Sequence, residues 1–219
     1  MSDSLSSLYL QKLKDAVIVC DLDNVEKIAK EALSAGVNPI AAIQEGLAKG
    51  IKEVGERFGK GEAYLPELVM SANVMKKGVA VIKPHMPKGA SISTLGRVVI
   101  GTVEGDIHDI GKSLVGTILG TSGFEVVDLG VDVASDKFVK TMSEGQVKIL
   151  GMSALMTTTM VKMPETVSEL ASKGLRKNVI IMVGGAPTTK EWAKEIGADA
   201  QAGDAVEASQ LALSLIKGR

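Results

Sequence analysis

Two histidines occur in the chain, His85 and His108, and the second stands among groups that could do chemistry. In Asp106-Ile107-His108-Asp109-Ile110-Gly111 an imidazole has one carboxylate two residues before it and another directly after. Imidazole is a common metal ligand, and a ligating ring usually donates its other N–H to a carboxylate that fixes tautomer and basicity. Asp106 can take that role. A plainer reading has His108 capping the next helix or bonding a main-chain carbonyl, and on this loop alone both readings stay open. A zinc site is not indicated, because it wants four ligands at Cys, His or carboxylate spacing that the rest of the chain does not offer. A lone protein ligand makes sense only where a macrocycle supplies the others.

The same loop invites a second interpretation that fails. Gly111-Lys112-Ser113 matches the end of a phosphate-binding G-x-x-x-x-G-K-[ST] loop, but Asp106 stands where its first glycine belongs. A carboxylate there repels the anion that such a loop cradles. The neighbouring glycines, at 101, 105 and 111, do not form a G-x-G-x-x-G dinucleotide fingerprint either.

The elements that must hold this loop follow from periodicity. Apolar residues at three- and four-residue spacing predict helices over Leu5–Val19, Val25–Ala35, Pro39–Val54 and Pro66–Ile82, a four-helix bundle. Asp23 is the expected cap of the second helix, Gly36 its end, and Pro39 and Pro66 suit first turns. Residues 84–96 read as a linker, the stretch Lys83–Ser91 holding two prolines, a glycine and little apolar content. Beyond it, β-rich runs at Arg97–Val103, Phe124–Leu129, Val147–Met152, Val179–Val183 and Ala200–Ala202 alternate with helices over Gly111–Thr121, Ala134–Ser143, Met160–Ser172, Thr188–Ile196 and Ala205–Ile216. That alternation predicts an α/β domain, Rossmann-like or flavodoxin-like, with a five-stranded parallel sheet. The expected division is 1–83, linker 84–96, and 97–219. Ligands of such sheets bind off the carboxyl ends of the strands, so the Asp106–Gly111 loop lies where chemistry is expected.

Composition narrows the classes. The 219 residues are 45% hydrophobic and 23% charged, ordinary for a globular protein. Twenty-five basic against 26 acidic residues leave a net charge of -1, without the basic excess of nucleic-acid binders. No apolar run approaches the roughly 18 residues of a membrane span, and Met1–Leu10 lacks the charged start of a signal peptide. With one cysteine, Cys20, no internal disulfide forms, and a cytoplasmic protein is expected. No role is expected for Cys20 or His85, and the methionines read as packing.

With these residues in place, the chain resembles the cobalamin-binding corrinoid proteins, whose signature is D-x-H-x-x-G, then S-x-L, then G-G. The three motifs are Asp106–Gly111, Ser153-Ala154-Leu155 and Gly184-Gly185, separated by 41 residues (112–152) and 28 residues (156–183) as in the family. The first half resembles the family's helical cap, with Phe58–Glu67 similar to its cap stretch. The resemblance implies a corrinoid cofactor, with His108 as lower axial cobalt ligand in place of the cofactor's own benzimidazole. It implies that Asp106 bonds the far ring nitrogen and that Thr159, where related methionine synthases carry a serine, completes a proton relay. Gly105, Ile107, Asp109, Gly111, Ser153, Leu155, Thr157, Gly184 and Gly185 are then cofactor contacts, and Phe58 and Leu65 cover the upper face of the corrin. Gly111, Gly116 and Gly120 are expected to clear a helix face for the nucleotide tail, as are Gly184-Gly185.

The resemblance is strongest, through Ser153–Met160 and Met182–Thr188, to the methylamine corrinoid proteins of methanogens. It implies a methyl carrier, not itself an enzyme on the substrate. The carrier would be charged by a substrate-specific methyltransferase for mono-, di- or trimethylamine and unloaded by a second methyltransferase acting on coenzyme M. A reductive activation protein would be a third partner; nucleic acid and membrane would not be partners. Carriers for methanol, glycine betaine or methoxyaromatics delivering to tetrahydrofolate are the alternative, and a cobalamin-dependent sensor is a further one.

Overall fold

The computed structural model describes residues 2–87 and 94–218, so residues 88–93 of the expected linker lie outside the described residues. The chain divides into two compact units, Met1–Ser93 with Thr121–Gly123, and Thr94–Gly120 with Phe124–Arg219.

In the first unit, α1 (Ser2–Ile18), α2 (Val25–Ser34), α3 (Pro39–Ala41), a π-wound turn (Ala42–Leu47), α4 (Ala48–Gly59) and α5 (Leu65–Ile82) form four helical rods. Residues 39–59 run on as one rod, longer than the expected Pro39–Val54 and containing the π-wound turn, which periodicity does not reveal. Leu13, Val17, Val25, Ile43, Leu47, Leu68 and Val74 are all buried between the rods. In α2 the buried positions are Val25, Ala29 and Ala32, the four- and three-residue spacing of one helix face. Pro39 and Pro66 do occupy first turns. Gly36, at φ 82°, ends α2, its N–H donating to the Leu33 carbonyl at 3.0 Å. Asp23, however, does not cap α2. Asn24 holds the cap position, and the turn is closed from further back, by the Asp21 carboxylate accepting the Asn24 N–H at 3.1 Å and its Nδ2 at 3.0 Å.

The second unit is built on β1 (Arg97–Thr102), β2 (Glu125–Asp128), β3 (Val147–Ser153), β4 (Ile180–Gly184) and β5 (Ala200–Ala202), all parallel in the order β2-β1-β3-β4-β5. Its helices are α6 (Ile110–Thr121), α7 (Ser135–Ser143), α8 (Thr157–Met160), α9 (Lys162–Ser172), α10 (Lys190–Glu195) and α11 (Ala205–Lys217). Alternate strand residues serve opposite faces. Val98, Ile100, Ile149, Ile180 and Met182 pack with α6 and α11, whereas Val99, Leu150, Ile181 and Val183 pack with α7, α9 and α10. Both faces being covered, β1 is an unbroken buried run from Val98 to Thr102 rather than an alternating one. The strand order reverses between β1 and β3, so their carboxyl ends border the crevice where ligands of such sheets bind. The expected helix Met160–Ser172 is α9, starting at Lys162, and a short α8 that the periodicity does not indicate precedes it, meeting it at Val161 and carrying Thr159.

Gly185, just after β4, has φ 117°, and a Cβ built there would lie 1.8 Å from the Ala154 carbonyl oxygen. The Gly185→Ala variant is therefore expected to lose about 3 kcal/mol of stability, read as a lowered urea midpoint.

Candidate functional site

The crevice is formed by the turn after β1. Within it Gly105 takes a left-handed conformation, φ 80°, which turns the chain so that Asp106 points inward, fully buried. A buried carboxylate needs partners, and this one has four. Its Oδ1 accepts the His108 N–H at 3.0 Å and the His108 ring Nδ1 at 2.7 Å. Its Oδ2 accepts the Leu155 N–H at 2.8 Å and the Thr159 hydroxyl at 2.7 Å. Burial by itself pushes the Asp106 carboxyl up, but the Thr159 hydroxyl, the two amides and the His108 ring outweigh it and hold the group well below the usual carboxylate range. An ionised carboxylate only accepts, so Nδ1 carries the proton, and in the neutral ring the free lone pair is on Nε2. The His108 side chain is about half exposed (48%). Its main chain is pinned from below, where the buried Thr102 at the end of β1 donates its hydroxyl to the His108 carbonyl at 2.9 Å.

Beside His108 opens a cavity of about 590 Å³, mostly apolar, running between α6 and α11 over β1, β3 and β4. Asp109, Gly111, Ser153, Leu155, Gly184 and Gly185 line it together with His108 and Ile107, so all three motifs meet there. Ile107 (74%), Ile110 (85%) and Leu155 (47%) leave apolar surface exposed around the ring. Thr157 is exposed at the head of α8 and does not line the cavity. Gly116 and Gly120 do not line it either. Gly116 instead lets α6 sit close on the sheet, since a Cβ there would come within 2.6 Å of the Ile100 Cδ1. Phe58 lies half-buried in α4 and Leu65, partly exposed, begins α5, both in the helical unit. Lys112 is buried with its ammonium 2.7 and 2.6 Å from the two oxygens of Asp128, so the would-be phosphate lysine is already engaged.

Sequence reasoning missed Thr102, the Lys112–Asp128 pair, and the wall that Gly203, Asp204, Ala205 and Ala208 add to the cavity. A threonine ending an otherwise apolar strand was the one local signal for Thr102. Among the described residues, no group of three or more His, Cys, Asp or Glu could hold a metal ion. A single imidazole with its Nε2 free beside an apolar slot fits a metal whose remaining ligands arrive with an organic cofactor. No described helix is long and apolar enough to cross a membrane.

Because the folded Asp106 titrates below its unfolded value, the stability it contributes is present above the unfolded carboxylate pKa and is lost as pH falls. Asp106→Asn keeps the shape but turns a donor toward groups that themselves donate. The variant is expected to be less stable by about 2 kcal/mol at neutral pH, with the gap to the parent narrowing below about pH 4, as urea unfolding at several pH values would show.

Comparison with known proteins agrees with this geometry. A B12 binding domain family matches residues 96–212, and another B12 binding domain family matches residues 9–83. The dimethylamine corrinoid protein of Methanosarcina barkeri is 46% identical over 207 residues, covering 94% of this chain and 97% of that protein. The solved monomethylamine corrinoid protein of Methanosarcina barkeri is 39% identical with a TM-score of 0.54, covering 95% of this chain and 99% of that one. The methanol:cobalamin methyltransferase complex of the same organism gives a TM-score of 0.88 at 30% identity, covering 96% of this chain and 80% of the other. With the D-x-H-x-x-G, S-x-L and G-G motifs converging on one slot and near-full-length similarity on both units, the chain belongs to the cobalamin-binding corrinoid proteins, and its relatives include the methylamine corrinoid proteins of methanogens.

Proposed function

We propose that the protein carries a methyl group on its corrinoid between two methyltransferases, the first taking the methyl from a methylamine and the second passing it to coenzyme M. The observation that carries this reading is the His108 ring, tied through Nδ1 to a buried carboxylate and left with a free Nε2 at the mouth of an apolar slot. The corrinoid, when bound, supplies a cobalt that accepts and releases a methyl group; everything else falls to the chain.

In this reading His108 Nε2 would hold the cobalt of the bound corrinoid. Asp106 and Thr159 would govern the proton on the His108 ring. When Nε2 is not engaged the ring can take a proton there, and Asp106, kept ionised, would stabilise the imidazolium so formed. The Thr159 hydroxyl, shared between the Asp106 carboxylate and the Met156 carbonyl at 3.1 Å, adjusts how strongly the carboxylate holds the ring. The slot, with Ser153, Gly184 and Gly185 in its wall and Ile107, Gly111 and Leu155 among its lining, would take the nucleotide tail. Gly105 and Asp109 complete the loop. Thr157, Phe58 and Leu65 are cofactor contacts in this reading on the strength of the matched motifs.

A methylamine substrate is favoured by the identity to the dimethylamine and monomethylamine corrinoid proteins, 46% and 39%, over that to the methanol complex, 30%. That the methanol relative occurs in a complex with a methyltransferase supports a partner of the same kind here. The protein reconstituted with hydroxocobalamin and reduced should stay unmethylated when a methylamine is added alone, and should become methylated, by its visible spectrum, when a methylamine methyltransferase is added too. Methylation by the chain without a partner would contradict the carrier reading. Thr159→Val is expected to slow partner-dependent methyl transfer about tenfold, the worth of one hydrogen bond to a charged group, with Thr159→Ser near the parent rate.

A further inference from the structure

Asp132, in the loop between β2 and α7, has a left-handed backbone at φ 53°. That conformation is cheapest for glycine, and Asp is among the few residues with a side chain that enter it at modest cost. Two residues earlier the loop does use glycine, Gly130 at φ 88°. A side chain kept where glycine would be easier must have a partner. The Asp132 Oδ1 accepts the Gly105 N–H at 2.7 Å, while its own N–H donates to the Asp106 carbonyl at 2.9 Å. One residue thereby clasps the Gly105–Asp106 pair from both ends.

The contact is part of a longer seam. Thr102 N–H donates to the Gly130 carbonyl at 3.0 Å, Val133 N–H to the Thr102 carbonyl at 2.9 Å, and Val103 pairs with Val133 in a parallel bridge. The main chain of the seam holds the loop against β1, and the Asp132 N–H reaches the Asp106 carbonyl, while the Asp132 carboxylate holds the N–H of the left-handed Gly105 that aims the Asp106 carboxylate. The turn itself is closed by the Asp106 N–H donating to the Val103 carbonyl at 3.1 Å, and the Asp132 carboxylate adds the bond to the Gly105 N–H, so its loss leaves a glycine-containing turn with one tether fewer.

We propose that Asp132 is a positioning residue for His108: by clasping the Gly105–Asp106 turn it sets where the Asp106 carboxylate meets the ring and so keeps the ring in its Nδ1–H form with Nε2 free. Its consequence for the cofactor rests on His108 being the axial ligand as proposed above; the tautomer itself is a property of the chain. Asp132 would act through Asp106 and touch no cofactor.

The test separates hydrogen bond from backbone. Asp132→Gly accepts the left-handed conformation and removes the acceptor, whereas Asp132→Asn keeps both the conformation and an acceptor oxygen. In a His85→Gln background, where His108 is the sole histidine, nitrogen NMR of cofactor-free protein labelled with ¹⁵N-histidine reads the tautomer ratio at a pH where the ring is neutral. The parent is expected to be mainly Nδ1–H. Asp132→Gly should raise the minor Nε2–H form at least about fivefold, as loss of one hydrogen bond allows, and Asp132→Asn should stay within about twofold of the parent. A ratio unchanged in Asp132→Gly, with or without a lowered melting temperature, overturns the proposal. Cobalamin uptake without a histidine nitrogen on the cobalt would defeat the ligand reading instead, and would leave the tautomer ratio to decide the part played by Asp132.

Discussion

The site depends on a carboxylate kept ionised out of contact with water. Removing Asp106 from solvent costs several kcal/mol, and the cost is offset because all its acceptor positions are filled, by two amides, a hydroxyl and a ring N–H. Those donors come from two separate stretches of chain, the turn after β1 and the segment from Leu155 to Thr159 after β3. A single buried charge thus joins the two strand ends that flank the switch in strand order, and the imidazole is one of the four partners that make the arrangement affordable. His108 is therefore oriented by the same interaction that holds the crevice together.

The remaining features follow from that constraint. A parallel sheet buried on both faces brings the ends of β1, β3 and β4 to one side, which is why motifs more than forty residues apart line one slot. Helix α6 begins just beyond His108, and its Lys112 is committed to Asp128 at the end of β2. The first turn of α6 is thereby tied to the edge of the sheet, and the slot wall keeps no free cation at that point. Thr102 holds the His108 carbonyl while Asp106 holds both its main-chain N–H and its ring, so the residue is gripped from two sides.

Much of this was legible in the sequence because it is local or periodic. Strand and helix positions follow apolar spacing, and His108 with Asp106 is a pair two residues apart. Pairings across long separations were not legible in the residues alone. Asp132 meets Gly105 across 27 positions and Lys112 meets Asp128 across 16, with nothing in either segment to announce its partner. The Thr159 hydroxyl reaches Asp106 across 53 positions and was anticipated only through family resemblance. The expectation for Asp23 failed because capping preference is short-ranged while the turn is closed by Asp21. That for Gly116 failed because a glycine on a helix serves close packing as readily as ligand clearance, and spacing does not distinguish them.

The most direct measurement of the central claim is hyperfine spectroscopy of the cobalt(II) form of the reconstituted protein, comparing unlabelled protein with protein labelled by ¹⁵N-histidine. The account predicts coupling to one nitrogen that changes with the label and vanishes in His108→Ala. A coupling indifferent to the label, arising from the cofactor's own benzimidazole, would contradict it.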